Sequence, residues 1–218
     1  MIFKNRTDAG KQLGLKLKAY LAEHPELGKD LIIAGLPRGG VPVAKEVARI
    51  LGCKLQIICA KKIPCPGYPE YAIGAVSADG AVVLNPDIPH HEKSWQSYVE
   101  RQTTLLVRKT TFTENQFHHL SGTPKLDFHD KIIIIVDDGI ATGMTVKAAV
   151  KSARNRGARR AILATPVMSA ESDPEMKKYF DDVVTLVLPP ALGSVGQFYE
   201  DFTQTTNEEV VEALRNAS

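Results

Sequence analysis

A doubly wound α/β domain on a mostly parallel sheet is what this sequence predicts, and two observations carry the prediction. The strongest apolar runs, at 31–36, 55–63, 131–136, 161–167 and 183–188, are continuous rather than alternating, as strands buried on both faces are. Segments of helical period lie between those runs, the order that a parallel sheet with crossover helices needs. No repeat, low-complexity tract or Ser/Gly linker interrupts them, so residues 1–218 are read as one domain.

In chain order, Ala9, Leu13, Leu17 and Leu21 mark a helix over 7–21, followed by the strand at 31–36. Pro37, Arg38, Gly39 and Gly40 break that strand, and a helix follows with Pro42 in its first turn. Its inward stripe is Val43, Val47, Ala48 and Leu51, with Gly52 as the stop. After the strand at 55–63, the proline-rich stretch 64–69 is expected to hold neither helix nor sheet ladder. A hairpin is expected from 72–76 and 81–84 around the turn at 77–80. Trp95, Tyr98, Val99, Gln102, Leu105 and Leu106 suggest a long helix over 92–112 with one polar interruption. The strand 131–136 leads into a helix over 145–156, with Val146, Ala149, Val150 and Ala153 inward and Gly157 at its end. The last two strands, 161–167 and 183–188, flank a helix near 174–179.

Composition excludes several functions. Of 218 residues, 27 are basic and 25 acidic, and a net charge of +2 gives no reason to expect nucleic acid or an anionic membrane as partner. Anion binding must therefore be local. Cys53, Cys59 and Cys65, six residues apart, match no short zinc-site spacing and read as reduced thiols. His24, His90, His91, His118, His119 and His129 have no Cys or Glu at ligand spacing and read as surface residues. Residues 35–40 have the length of an NTPase phosphate loop, but Val41 and Pro42 replace its Lys-Ser/Thr, and no dinucleotide fingerprint is present. Without a secretory or membrane-length apolar run, a cytoplasmic location is expected.

Chemistry concentrates where the strand 133–136 ends in Asp137 and Asp138 and runs through Gly139, Ile140, Ala141, Thr142 and Gly143 into Met144 and Thr145. Backbone N–H groups of such a turn, with the helix dipole and the Thr142 and Thr145 hydroxyls, suit a phosphate monoester. The carboxylates suit vicinal sugar hydroxyls or a magnesium ion, held directly or through water. Together they describe a phosphorylated ribose. Arg38, Gly39 and Gly40 end another strand, and in open α/β sheets ligands bind beyond strand carboxyl ends, so the two loops should face each other.

The segment 133–145 resembles the signature of type I phosphoribosyltransferases, and the layout of LPRGG, AIGAV, VDDGIATG and VGQFYEDF resembles a bacterial group within that family over nearly the whole chain. One departure is Gly139, where many members carry a branched apolar residue, which is expected to loosen the turn. The resemblance implies transfer of a 5-phosphoribosyl group from phosphoribosyl diphosphate to a small-molecule acceptor, a nucleobase, with Mg2+ and pyrophosphate release. It implies diphosphate binding at Arg38, Gly39 and Gly40 after a cis Pro37–Arg38 peptide, with Lys61 or Lys62 completing the cage. Ribose and phosphate would fall to Asp137, Asp138, Gly139, Ala141, Thr142, Gly143, Met144 and Thr145, with Asp137, Asp138 and Lys62 as catalytic candidates. A small hood from about 1–25 and 189–218 would cover the acceptor, with Phe198 or Tyr199 stacking on it, and the chain would form a homodimer. A regulator that only senses the ligand, or a phosphohydrolase on the same sugar phosphate, would share these features.

Overall fold

The computed structural model describes residues 2–28, 30–86 and 93–216; His90 and His91 lie outside them. In chain order the elements are α1 (Arg6–Glu23), β1 (Leu31–Gly35), α2 (Gly40–Leu51), β2 (Lys54–Ile57), β3 (Ala60–Cys65), β4 (Tyr68–Ser77) and β5 (Val82–Leu84). There follow α3 (Lys93–Ser121), β6 (Ile132–Val136), α4 (Met144–Asn155), β7 (Arg160–Val167), α5 (Asp173–Tyr179), β8 (Asp182–Val187) and α6 (Asn207–Arg215).

Five strands form a parallel sheet in the order β2-β1-β6-β7-β8. Alternation along β6 explains why it reads as an unbroken apolar run. Ile132, Ile134 and Val136 pack with Leu13 and Leu17 of α1 and Val43 and Val47 of α2, whereas Ile133 and Ile135 pack on the other face with Val146, Ala149 and Val150 of α4. Strand order reverses between β1 and β6, and Gly35 pairs level with Val136, so the loops after these two strands leave the sheet side by side.

The run 55–63 is not one strand. β2 ends at Ile57, the Ile58 N–H makes a last bond to the Gly35 carbonyl (3.2 Å), and the Cys59 N–H turns to the Glu114 carboxylate of α3 (3.1 Å). From Ala60 the chain enters a second sheet, antiparallel, of order β3-β4-β5. Apolar residues continue through the crossing because Ile58 and Cys59 are buried there. The 64–69 stretch also differs from expectation: Pro64 and Cys65 belong to β3, and the register shifts on both sides of Pro64, a bulge that accommodates its missing N–H. The Tyr98 hydroxyl donates to its carbonyl (2.8 Å). The expected hairpin is present, pairing Gly74 with Leu84 and Val76 with Val82.

α3 runs through Ser121 without a break. Its polar residues are used inward: Thr110 bonds the Leu106 carbonyl, Thr111 bonds the Ala78 carbonyl, and buried Glu114 pairs with Lys125 at 2.8 Å. Ahead of α1, Phe3 bridges to Tyr199 and lies in a cluster with Leu192, Val195, Phe198 and Phe202, so the start of the chain meets the segment after β8. α1 itself packs into the main core. No helix among the described residues is long and apolar enough to cross a membrane.

Candidate functional site

Side chains would keep the two loops at the switch point apart. A Cβ on Gly39 would run into Asp138 Oδ2, and one on Gly40 would lie 2.7 Å from the Val136 carbonyl oxygen and 2.9 Å from Asp137 Cα. The glycine pair is thus what lets the loop carrying Arg38 close on the acidic pair. The peptide joining Pro37 to Arg38 is cis. The Gly40 N–H donates to the Leu36 carbonyl at 3.0 Å, closing the turn that leads from β1 into α2.

Both carboxylates are engaged within the protein. Asp137 Oδ1 accepts the Asp138 N–H at 3.0 Å, and Asp138 Oδ2 accepts Arg6 Nε at 2.7 Å. Burial first, and then the charge of Asp138, push the Asp137 carboxyl well above the ordinary carboxylate range. Arg6 and Asp138 are only 12% and 15% exposed, which makes this ion pair a nearly dry one. The Arg6 guanidinium also donates to the Thr203 carbonyl (2.7 Å) and lies 3.9 Å from the centre of the Phe202 ring.

In the following loop, Gly143 adopts φ +70° and caps α4. Among the described residues the backbone N–H groups of Ala141, Thr142, Gly143, Met144 and Thr145 donate to no protein acceptor, whereas the Ile140 N–H is bound to Val167 and the Ala141 carbonyl accepts the Ser172 hydroxyl. Ala141 and Thr142 are exposed. Met144 is buried against Ala75, Val83 and Ala148, so its contribution to a ligand is confined to its backbone.

Gly139 does not loosen the turn. A Cβ there would collide with Val195 Cγ1, lie 2.7 Å from Val195 Cγ2 and 3.0 Å from Val167 Cγ1. Val195, from the 3-10 turn Val195–Phe198, takes the space that a branched residue would fill.

Neighbouring residues of a strand face opposite ways, and β3 separates Lys61 from Lys62 on that rule. Lys61 lines a cavity of about 410 Å3 with Arg38, Gln116 and Asn207. Lys62 lines another, of about 350 Å3, with Ala141, Thr142 and Lys147. Neither lysine, nor Arg38, has an ion-pair partner among the described residues. Lys147 is 4% exposed and pairs with Glu175 at 2.5 Å.

Tyr199 is not placed to stack on a ligand. It is 6% exposed, sits between Phe3 (5.4 Å) and Phe202 (4.9 Å), and its hydroxyl donates to the Asp138 carbonyl at 2.6 Å. Phe198 is half-buried in the same cluster. His118 is likewise not a surface residue: it is 9% exposed with Nδ1 3.0 Å from the Thr123 carbonyl oxygen. Three contributors escape sequence reading, namely Arg6, Val195 and Lys147. Arg6 has no motif around it, and it meets Asp138 only because the chain folds back across 132 positions. Gly139 is the one visible signal for Val195, since a missing side chain asks what fills its place.

No group of three or more His, Cys, Asp or Glu suited to a metal occurs among the described residues. Asp137 and Asp138 still fit magnesium, which commonly takes one or two carboxylates and completes its shell with water and substrate oxygens.

The phosphoribosyl transferase domain model matches residues 7–203. Two Mycobacterium tuberculosis proteins, from strains H37Rv and CDC 1551, each named "putative phosphoribosyl transferase", are 39% identical over 219 aligned residues covering 99% of this chain. The chain spans about half of their length, 47%. The crystal structure of TT1426 from Thermus thermophilus superposes with a TM-score of 0.82 at 35% identity, covering all of both chains. With the domain model reaching from α1 to Thr203, through both switch-point loops, the chain belongs to the phosphoribosyl transferase domain family.

Proposed function

We propose that the chain transfers a 5-phosphoribosyl group from phosphoribosyl diphosphate to a small nitrogenous acceptor, releasing pyrophosphate. One observation carries this reading: beside the acidic pair at the switch point, the backbone N–H groups of Ala141 to Thr145 donate to no protein acceptor among the described residues, while Lys61 shares a cavity with Arg38 and Lys62 shares another with Ala141 and Thr142. A ribose with a diphosphate at C1 and a phosphate at C5 would use acceptors for a diol and donors for two anions.

In this reading Asp137 and Asp138 accept the two ribose hydroxyls, and the N–H groups of Ala141 to Thr145 hold the 5-phosphate, with Lys62 beside them. Arg38 and Lys61 face the diphosphate. The bond from C1 to the diphosphate oxygen breaks with its electron pair leaving on the diphosphate, the acceptor nitrogen forms the new bond to C1 with its lone pair, and the proton it carried passes to solvent. Fixed cations at Arg38 and Lys61 stabilise the departing anion, while the carboxylates ease the positive charge on the ribose ring. Magnesium bound at Asp137 and Asp138 would supply further neutralisation of the leaving diphosphate.

Turnover of phosphoribosyl diphosphate with Mg2+ tests the proposal. Pyrophosphate release is expected only when an acceptor is present; release into water alone would make the chain a phosphohydrolase, and tight binding with no release on any base would make it a sensor. The two lysines are expected to separate in the same experiment. Lys61→Ala should weaken inorganic pyrophosphate roughly tenfold and spare ribose 5-phosphate, and Lys62→Ala should do the reverse, each losing about 1.5 kcal/mol of a charge-assisted bond. Equal effects of both variants on both ligands would contradict the assignment of opposite faces.

A further inference from the structure

We infer that Arg6 is a positioning residue for ribose recognition, acting through Asp138. The inference rests on the ribose reading of the acidic pair.

Arg6 makes three commitments at once. Its Nε holds Asp138 Oδ2 at 2.7 Å, its Nη1 donates to the Thr203 carbonyl at 2.7 Å, and its Cζ lies over the Phe202 ring, 3.9 Å from the centroid. Each contact uses a different part of the group, so the guanidinium is held in a single orientation. Phe202 is held in turn by Tyr199, whose hydroxyl grips the backbone carbonyl of Asp138. Asp138 is therefore fixed at both ends, its carbonyl by the segment after β8 and its carboxylate by the start of α1. With Oδ2 held by Arg6, the Asp138 carboxylate is presented in one orientation, and it cannot turn without breaking the Arg6 bond.

That geometry matters for selectivity more than for bare affinity. A carboxylate free to rotate accepts from water as readily as from a sugar, so removing one hydroxyl from the ligand costs it little. A carboxylate locked in one orientation loses a charge-assisted bond when the hydroxyl is missing. Lysine could supply charge beside Asp138 but has neither the fork for Thr203 nor the plane for Phe202.

The test compares ribose 5-phosphate with its 2-deoxy and 3-deoxy analogues by calorimetric titration. The proteins are the unaltered chain, Arg6→Gln, Arg6→Lys, Asp138→Asn and the double variant Arg6→Gln/Asp138→Asn. The unaltered chain is expected to prefer ribose over at least one analogue by roughly tenfold or more. Arg6→Gln should lose most of that preference while binding inorganic phosphate as before, and Arg6→Lys should recover only part of it. In the Asp138→Asn background the Arg6 change should have no further effect on the preference. A thermal melt accompanies each titration, and if Arg6→Gln does not fold, Arg6→Lys carries the comparison. Full preference retained in a folded Arg6 variant, or an equal loss with and without Asp138, would overturn the inference. Failure of the unaltered chain to bind ribose 5-phosphate at all would instead remove the ribose reading beneath it.

Discussion

Asp137→Asn and Asp138→Asn are expected to weaken ribose 5-phosphate binding alike and to move stability in opposite directions. Each loses an acceptor for a ribose hydroxyl, roughly tenfold or more in affinity. Their unliganded environments differ. Asp137 is held neutral-leaning by burial and by the Asp138 charge, so ionising it opposes folding. Its folded-state pKa lies above the unfolded one; the stability present below the unfolded value is lost as pH rises through the folded one. Asparagine removes that loss, and Asp137→Asn should melt higher than the unaltered chain at pH 7, with the difference shrinking near pH 4. Asp138 is the partner of Arg6 in a nearly dry pair. Asp138→Asn leaves a guanidinium that is 12% exposed with a neutral neighbour, a loss of about 1 to 3 kcal/mol. At about 2 to 4 °C per kcal/mol for a chain of this size, differential scanning calorimetry resolves both shifts. Melts that move together would show that Arg6 does not distinguish the two carboxylates.

Gly139→Val is expected to damage both fold and ribose site, because it puts back the branched residue common in the wider family. The new side chain would need the volume held by Val195 and would press on Val167 Cγ1, 3.0 Å from the added Cβ. Overpacking of this kind costs about 1 to 3 kcal/mol. The displaced 3-10 turn precedes Tyr199, whose hydroxyl holds the Asp138 carbonyl, so binding of ribose 5-phosphate should fall as well. Val195→Gly alone should lose stability by opening a cavity. Combined with Gly139→Val it should recover a good part of the loss, giving a coupling of at least about 1 kcal/mol in a double-mutant cycle. Additive losses in the double variant would mean that the two residues do not share that space.

How far the sequence reaches is clear from these same residues. β6 is legible because both its faces are buried, which writes an unbroken apolar run. The turn after β6 is legible because Gly143 at φ +70° and the acidic pair are local features. The break after Ile57 is not: Ile57, Ile58 and Cys59 stay buried through the crossing from one sheet to the other, and the bond that turns the chain involves Glu114, 55 residues away. The proline-rich segment misleads for a related reason, since a bulge lets Pro64 remain in a strand that its chemistry alone would exclude. Arg6 and Val195 act on the site from opposite ends of the chain, and no spacing rule connects position 6 with 138 or 139 with 195. Lys61 and Lys62 can be named together from sequence, but only the course of β3 assigns them to different cavities.

A crystal structure of the chain with ribose 5-phosphate tests the central claim most directly. The account predicts the phosphate against the backbone N–H groups of Ala141 to Thr145, and the two ring hydroxyls on Asp137 and Asp138. Phosphate bound only beside Arg38 and Lys61, with the Ala141 to Thr145 turn empty and the acidic pair still satisfied by protein partners alone, would contradict it.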